Sequence, residues 1–178
     1  LGSPSPRENM ELVYEVCLNY AQKFGRFYFK NLFLSGAPGL GKTFLSACIA
    51  RTVSENGHSV VYDTAGNVFA QFEARKFQRD SADGQEARDE TRRYLNCDLL
   101  ILDDLGCELT TAFVQSTLYT LINTRLTAGR RTVISSNMSL DGVRARYTPQ
   151  IASRIEGEYQ LLPFVGEDIR VLKKKRGL

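Results

Sequence analysis

The chain has a single histidine, His58, and four cysteines, Cys17, Cys48, Cys97 and Cys107, that lie far apart with no CxxC pair. The ligand spacings of a structural zinc site are therefore missing. Thiols scattered over apparent core faces read as small buried hydrophobes in a reducing cytoplasm, not as a disulfide framework. No apolar run approaches the roughly 20 residues of a membrane span, no signal peptide is visible at the start, and neither an internal repeat nor a low-complexity segment appears. An excess of positive charge is also missing over most of the chain. Arg170, Lys173, Lys174, Lys175 and Arg176 stand in the last nine residues without an acid, and residues 1–169 carry 18 basic against 20 acidic side chains. The formal net charge of +3 thus does not describe a basic body. The basic tail reads either as a nucleic-acid contact or as a solvated terminus. With 178 residues, 43% of them hydrophobic, the chain suits one domain with a full core.

What the chain does have is Gly36-Ala37-Pro38-Gly39-Leu40-Gly41-Lys42-Thr43, which fits G-x-x-x-x-G-K-[ST], the phosphate-binding P-loop. Glycines bring backbone N–H groups close to phosphate oxygens. Lys42 is a mobile ammonium able to reach the β- and γ-phosphates, and the Thr43 hydroxyl is a ligand for Mg²⁺. The four fixed positions match by chance in under about 1% of chains this long. The context agrees: Asn31–Ser35 reads as a short buried strand, and Phe44–Ala50 reads as a helix. Phosphates would then sit at a helix N-terminus, where free N–H groups and the dipole favour anions. The nucleotide-binding set for ATP or ADP runs from Gly36 through Thr43 to Phe44.

The remaining pattern alternates strands and helices. Residues 1–8 read as a disordered or linker segment and 9–178 as one ATPase domain. Apolar residues at Met10, Val13, Val16 with Cys17, Tyr20 and Phe24 have helical spacing over Asn9–Phe24. The helix after the P-loop should end near Asn56-Gly57. Val60–Tyr62 is a second strand. Val68, Phe69, Phe72, Lys76 and Phe77 lie on a helix, Gln78–Gly84 on a loop, and Gln85–Asn96 on a charged helix. Leu99–Leu102 reads as a buried parallel strand ending in Asp103-Asp104. A helix over Phe113–Leu126, a strand over Thr132–Ser136, a short helix over Pro149–Ile155 and a strand over Tyr159–Phe164 complete the order. The fold class is α/β: a three-layer αβα P-loop NTPase sandwich with a five-stranded parallel sheet and helices on both faces.

Three sites gather at strand C-termini, where open α/β sheets bind ligands. The first is the P-loop. The second is Asp103-Asp104, of Walker B character: one carboxylate is placed to hold Mg²⁺, directly or through water, and the next to polarise the attacking water. The third is Asn137 after the fourth strand, an amide placed to orient water against the γ-phosphate.

In this order the motifs resemble the AAA+ ATPase superfamily, and within it the bacterial replicative-helicase loader family of the DnaC/DnaI type. The matching pieces are Asn31–Gly36, Leu102–Gly106, Asn123–Arg125, Ser135–Asn137, Ser153–Ile155 and Gly166–Arg170. A related family, the ATPase helpers of insertion-sequence transposition, shares most of them. The resemblance implies that Asp104 is the catalytic carboxylate, Asn137 the first sensor, Arg154 an arginine finger acting on ATP held by a neighbouring copy, and Arg170 a second sensor acting in cis. The residues alone also allow Arg154 a surface ion pair with Glu156 or Glu158. The resemblance further implies ATP hydrolysis, self-association through the ATPase interface, a replicative DNA helicase as partner, and single-stranded DNA as second ligand. Arg75, Lys76 and Arg79 are the candidate DNA contacts. Against them stands an amphipathic helix that buries Phe69, Phe72 and Phe77 and exposes its charges. The chain departs from the family in having Asp103-Asp104 where many AAA+ proteins have Asp-Glu. It also has no room for a helical lid and lacks the helicase-contacting amino-terminal region, so it reads as the ATPase core of a longer protein. A P-loop small-molecule kinase and a nucleotide-gated adaptor with little hydrolysis are the readings from other classes.

Overall fold

The apolar run at Leu99–Leu102 becomes an interior strand, and its two faces set the layers around it. The computed structural model describes residues 5–78 and 81–167. In chain order the elements are α1 (Pro6–Gln22), β1 (Leu32–Ser35), α2 (Lys42–Glu55), β2 (Val60–Thr64), α3 (Ala65–Phe77), α4 (Ala82–Asn96), β3 (Leu99–Leu105), α5 (Ala112–Thr127), β4 (Arg131–Ser136), α6 (Leu140–Arg146), α7 (Pro149–Glu158) and β5 (Gln160–Pro163). The five strands form one parallel sheet in the order β2-β3-β4-β1-β5. Arg79, Arg170 and the basic tail lie outside the described residues. Among the described residues no helix is long and apolar enough to cross a membrane.

Alternation along each strand sorts the core into two clusters. Leu32, Leu34, Leu99, Ile101 and Val133 face α1 and α2, where Val13, Tyr20, Leu45, Ile49 and Val53 meet them. Phe33, Leu100, Leu102 and Ile134 face the other way, toward Val68 and Phe69 of α3, Leu118, Leu121 and Ile122 of α5, and Ile151 and Ile155 of α7. Both faces are covered, which explains why the first four residues of β3 read as a continuous apolar run.

Element ends follow local chemistry that the periodicity does not show. α1 starts at Pro6, three residues earlier than expected, because Ser5 and Glu8 form a reciprocal capping box with Pro6 in the first turn. α4 starts at Ala82 rather than Gln85, since the Ser81 hydroxyl accepts from the Gly84 N–H. α6 was not anticipated. It is seven residues long, is capped by Ser139 and buries Val143 as its one fully buried residue, so it leaves no apolar stripe to read. Two of the four cysteines also depart from the core reading: Cys17 and Cys97 are buried, whereas Cys48 and Cys107 are exposed. Phe69 is buried and Phe72 packs partly against the core, but Phe77 is 67% exposed. Phe77 is the last residue of α3 and stands about 80° round the helix from Phe69, off the buried stripe.

One buried cation ties the layers together. Arg125 is 1% exposed and has neutral partners. Its guanidinium donates to the Tyr94 carbonyl at 2.7 Å, the Arg131 carbonyl at 2.6 Å and the Thr132 hydroxyl at 3.0 Å, linking the end of α4 to the start of β4. Arg125→Ala strands these acceptors and opens a cavity, so it should cost about 3 kcal/mol or more. Chemical denaturation of the variant checks this; an unchanged midpoint would assign Arg125 no structural role.

Candidate functional site

The P-loop connects β1 to α2 and is shaped by close approach. Gly36 has φ +145°, and a Cβ there would lie 2.4 Å from the Phe164 carbonyl oxygen. Gly41 is the N-cap of α2 in the left-handed region, with φ 97° and no side-chain cap. The first-turn amides of a 14-residue helix are thus left for an external acceptor. Lys42 is buried, and its Nζ donates to the carbonyls of Gly36 at 2.5 Å and Ala37 at 2.8 Å. The ammonium is therefore tied to the loop itself. Burial lowers its pKa, opposed by the nearby Asp104 and Asp103 carboxylates.

Strand alternation separates the two acids that follow the apolar run. Asp103 continues the face of Leu99 and Ile101, the face covered by α2. It is 4% exposed, and both its oxygens are occupied. Oδ2 accepts from the Thr43 hydroxyl at 3.1 Å and from the Tyr62 hydroxyl at 2.6 Å. Oδ1 accepts from the Ser135 hydroxyl and from the Asp104 N–H. Tyr62 sits on β2 and Ser135 on β4, so the carboxylate is gripped from both neighbouring strands and from the P-loop helix. Burial, together with the Asp103 carboxylate, raises the Tyr62 pKa, and the phenol stays a donor.

Strict alternation would send Asp104 to the opposite face. Instead the β3–β4 register is irregular between Leu102 and Leu105, and Asp104 takes φ 55°, the one non-glycine among the described residues with positive φ. Asp tolerates this region better than most residues, and such strain clusters at functional sites. The Asp104 N–H donates to the Ser135 hydroxyl at 3.1 Å as well as to Asp103. Its side chain lines the same cavity as Lys42. Burial raises its pKa, reinforced by Asp103 and opposed by Lys42.

That cavity, about 500 Å³, is lined by Pro38, Gly39, Gly41, Lys42, Thr43, Phe44, Asp104, Cys107 and Asn137. Three separated motifs, the P-loop, the second acid of the pair and the amide after β4, therefore meet in one space. Asp103 stands at its edge through Thr43. Thr43 Oγ1 and the Asp103 carboxylate are hard oxygen donors, as Mg²⁺ requires. Among the described residues no group of three or more His, Cys, Asp or Glu side chains forms a protein cage.

The remaining candidates fall elsewhere. Arg154 does not line the nucleotide cavity. It lines a separate one with Lys30, Asn123, Arg130 and Glu158, and its guanidinium meets the Tyr119 hydroxyl. Among the described residues it makes no ion pair, and Glu156 pairs instead with Arg144 at 3.4 Å. Arg75 donates to Thr91 at 3.3 Å, and Lys76 lies 5.1 Å from the Phe113 ring centre, both on the α3 flank. Cys107, Tyr62 and Ser135 are the site residues that sequence reasoning missed. Ser135-Ser136-Asn137 is legible as a family motif, but only Asn137 carries a role in it. The face of β4 that carries Val133 was the available signal for Ser135.

The motifs and the fold have known counterparts. Residues 27–156 match the family model of the IstB-like ATP binding protein. The replicative helicase loader DnaI of Bacillus subtilis is 29% identical over 120 residues, 67% of this chain and 37% of DnaI. Among solved structures, the DnaC helicase loader superposes with a TM-score of 0.70 at 21% identity, covering 92% of this chain and 93% of that one. The AMPPCP-bound DnaA of Aquifex aeolicus gives 0.75 at 23% identity, over 95% and 52%. The chain spans less than half the length of the curated relatives it matches. The chain belongs to the IstB-like ATP-binding protein family, built on the AAA+ P-loop fold.

Proposed function

We propose that this domain binds and hydrolyses ATP as the motor of a replicative-helicase loader acting on single-stranded DNA. The observation that carries the ATPase reading is the single cavity shared by Lys42, Thr43, Asp104 and Asn137. The α2 amides and Lys42 take the phosphates, with Lys42 exchanging its loop carbonyls for phosphate oxygens. Thr43 would hold Mg²⁺ directly and Asp103, whose oxygens already accept four hydrogen bonds, would hold it through water or by exchanging a donor; the ion would supply positive charge against the phosphates. Asp104 accepts a proton from the attacking water, and Asn137 orients that water. Arg154, which lines a separate cavity, serves ATP held by a neighbouring copy. Arg170, outside the described residues, acts in cis as second sensor. The loader reading is supported by likeness to DnaI and DnaC. Helicase contact through a region beyond this chain, and DNA contact through Arg75, Lys76 and Arg79, belong to the same proposal. A preference for duplex over single-stranded DNA would favour the transposition-helper reading instead.

Lys42→Ala removes a charge-assisted phosphate contact worth about 1.5–3 kcal/mol, so ATP affinity should fall about 10- to 100-fold while the domain stays folded. Calorimetry showing wild-type affinity would refute the nucleotide site.

Asp104→Asn should bind ATP normally and hydrolyse it at least about 100-fold more slowly. Asp104 must be ionised to accept a proton, and its pKa is raised. Wild-type hydrolysis should therefore fall with decreasing pH before an ordinary aspartate would titrate. Asp103→Asn should instead weaken binding only when Mg²⁺ is present. Identical behaviour of the two variants would contradict the division of roles.

An arginine finger in trans contributes about 10³–10⁵ in rate. Arg154→Ala should bind ATP and lose assembly-stimulated hydrolysis. Mixed with Lys42→Ala, it should regain part of that activity, because some interfaces then pair a working pocket with a working finger. A mixture as inactive as its components, with both variants folded and assembled, would return Arg154 to a surface role.

A further inference from the structure

Tyr62 belongs to none of the nucleotide motifs, yet it touches the carboxylate assigned to the metal. Its hydroxyl donates to Asp103 Oδ2 at 2.6 Å and lies beside the Thr43 hydroxyl. It is not among the residues lining the nucleotide cavity, so it reaches these groups from outside the space the nucleotide would fill. The reach comes from the sheet. Tyr62 pairs in register with Ile101, and Thr64 pairs with Asp103, so the phenol starts two residues short of the acid and extends toward the strand end. Val60 packs against the α2 side of the sheet, and alternation puts Tyr62 on that same side.

We propose that Tyr62 is a positioning residue for the metal-binding carboxylate, acting through Asp103 to set the Mg²⁺ requirement of nucleotide binding. The inference rests on the reading of Asp103 and Thr43 as the Mg²⁺ oxygens. A buried carboxylate orients a cation only if its own oxygens are held. Oδ1 is held by Ser135 and by a backbone amide, both within the sheet. Oδ2 is held by Thr43 and Tyr62. Thr43 has a second duty toward the metal; Tyr62 is the Oδ2 donor without one. The aromatic ring gives the hydroxyl a rigid arm with only two side-chain torsions, so the donor arrives in a fixed place. Partners that orient metal ligands typically matter by 10- to 100-fold in metal affinity.

The test is a Mg²⁺ titration of ATP-analogue binding to the whole protein, with wild type, Tyr62→Phe and Asp103→Asn compared. Free Mn²⁺, followed by electron paramagnetic resonance in the presence of the analogue, gives a second readout of the ion alone. Tyr62→Phe keeps the ring and removes only the donor. It should raise the half-saturating Mg²⁺ and Mn²⁺ about tenfold or more, while nucleotide affinity in EDTA stays at the wild-type value and the nucleotide-free protein remains folded, melting lower only by what one lost hydrogen bond to a buried carboxylate costs. An unchanged or lowered half-saturation overturns the proposal. So does an equal loss of affinity with and without the ion, which would make Tyr62 a prop of the P-loop. Asp103→Asn separates the two levels. If it removes the ion dependence and Tyr62→Phe does not, the Tyr62 inference alone fails; if it leaves the dependence intact, the metal assignment fails and the Tyr62 inference falls with it.

Discussion

The Asp103 carboxylate is the constraint on which the rest of the site depends. A charge 4% exposed is tolerated only when its lone pairs are satisfied, and here donors come from β2, from β4, from the P-loop helix and from the next residue's backbone. Each donor fixes something beyond itself. Thr43 ties the first turn of α2 to the sheet, so the P-loop is held where β3 ends. Ser135 ties β4 to β3 one residue before the chain leaves the strand, which brings Asn137 to the cavity. The Asp104 N–H bonds to the same carboxylate and belongs to the residue with φ 55°. The turn that points Asp104 at Lys42 is therefore anchored on its neighbour.

The parallel sheet makes this arrangement possible. With all five strands running the same way, their C-terminal ends share one edge, and alternation selects which side chains appear on the α2 face. Leu99, Ile101 and Asp103 share one side; Val133 and Ser135 share it on β4; Val60 and Tyr62 share it on β2. An apolar stripe across three adjacent strands thus ends in a row of hydroxyl, carboxylate and hydroxyl. The core beneath is buried and apolar, so the row has little freedom to rearrange. The strained turn at Asp104 is set on that rigid base.

What the sequence discloses is what depends on neighbours in sequence. The P-loop is eight consecutive residues, and its strand and helix flank it directly, so loop, lysine and threonine are all legible. Asp103 and Asp104 are legible as a pair because an apolar strand precedes them. Alternation even predicts which of the two faces α2, but the register break that returns Asp104 to the cavity depends on pairing with β4. Tyr62 and Ser135 are invisible for the same reason: their role exists only once β2, β3 and β4 lie side by side. α6 escapes because one buried valine makes no periodic stripe. Phe77 is misread because adjacency to a buried run does not fix its angle around the helix. Arg154 is legible only through family resemblance; it lines a cavity separate from the nucleotide site, and no spacing derives its role.

Backbone amide exchange, measured with and without ATP and Mg²⁺, decides whether the P-loop, the Asp103–Asp104 turn and Asn137 form one nucleotide site. The account predicts that nucleotide slows exchange together in residues 36–45, 103–107 and 135–138, with the largest effect at the uncapped first turn of α2. Nucleotide that binds while these three segments keep their free-state exchange, with protection appearing instead along α3 and α4, would contradict it.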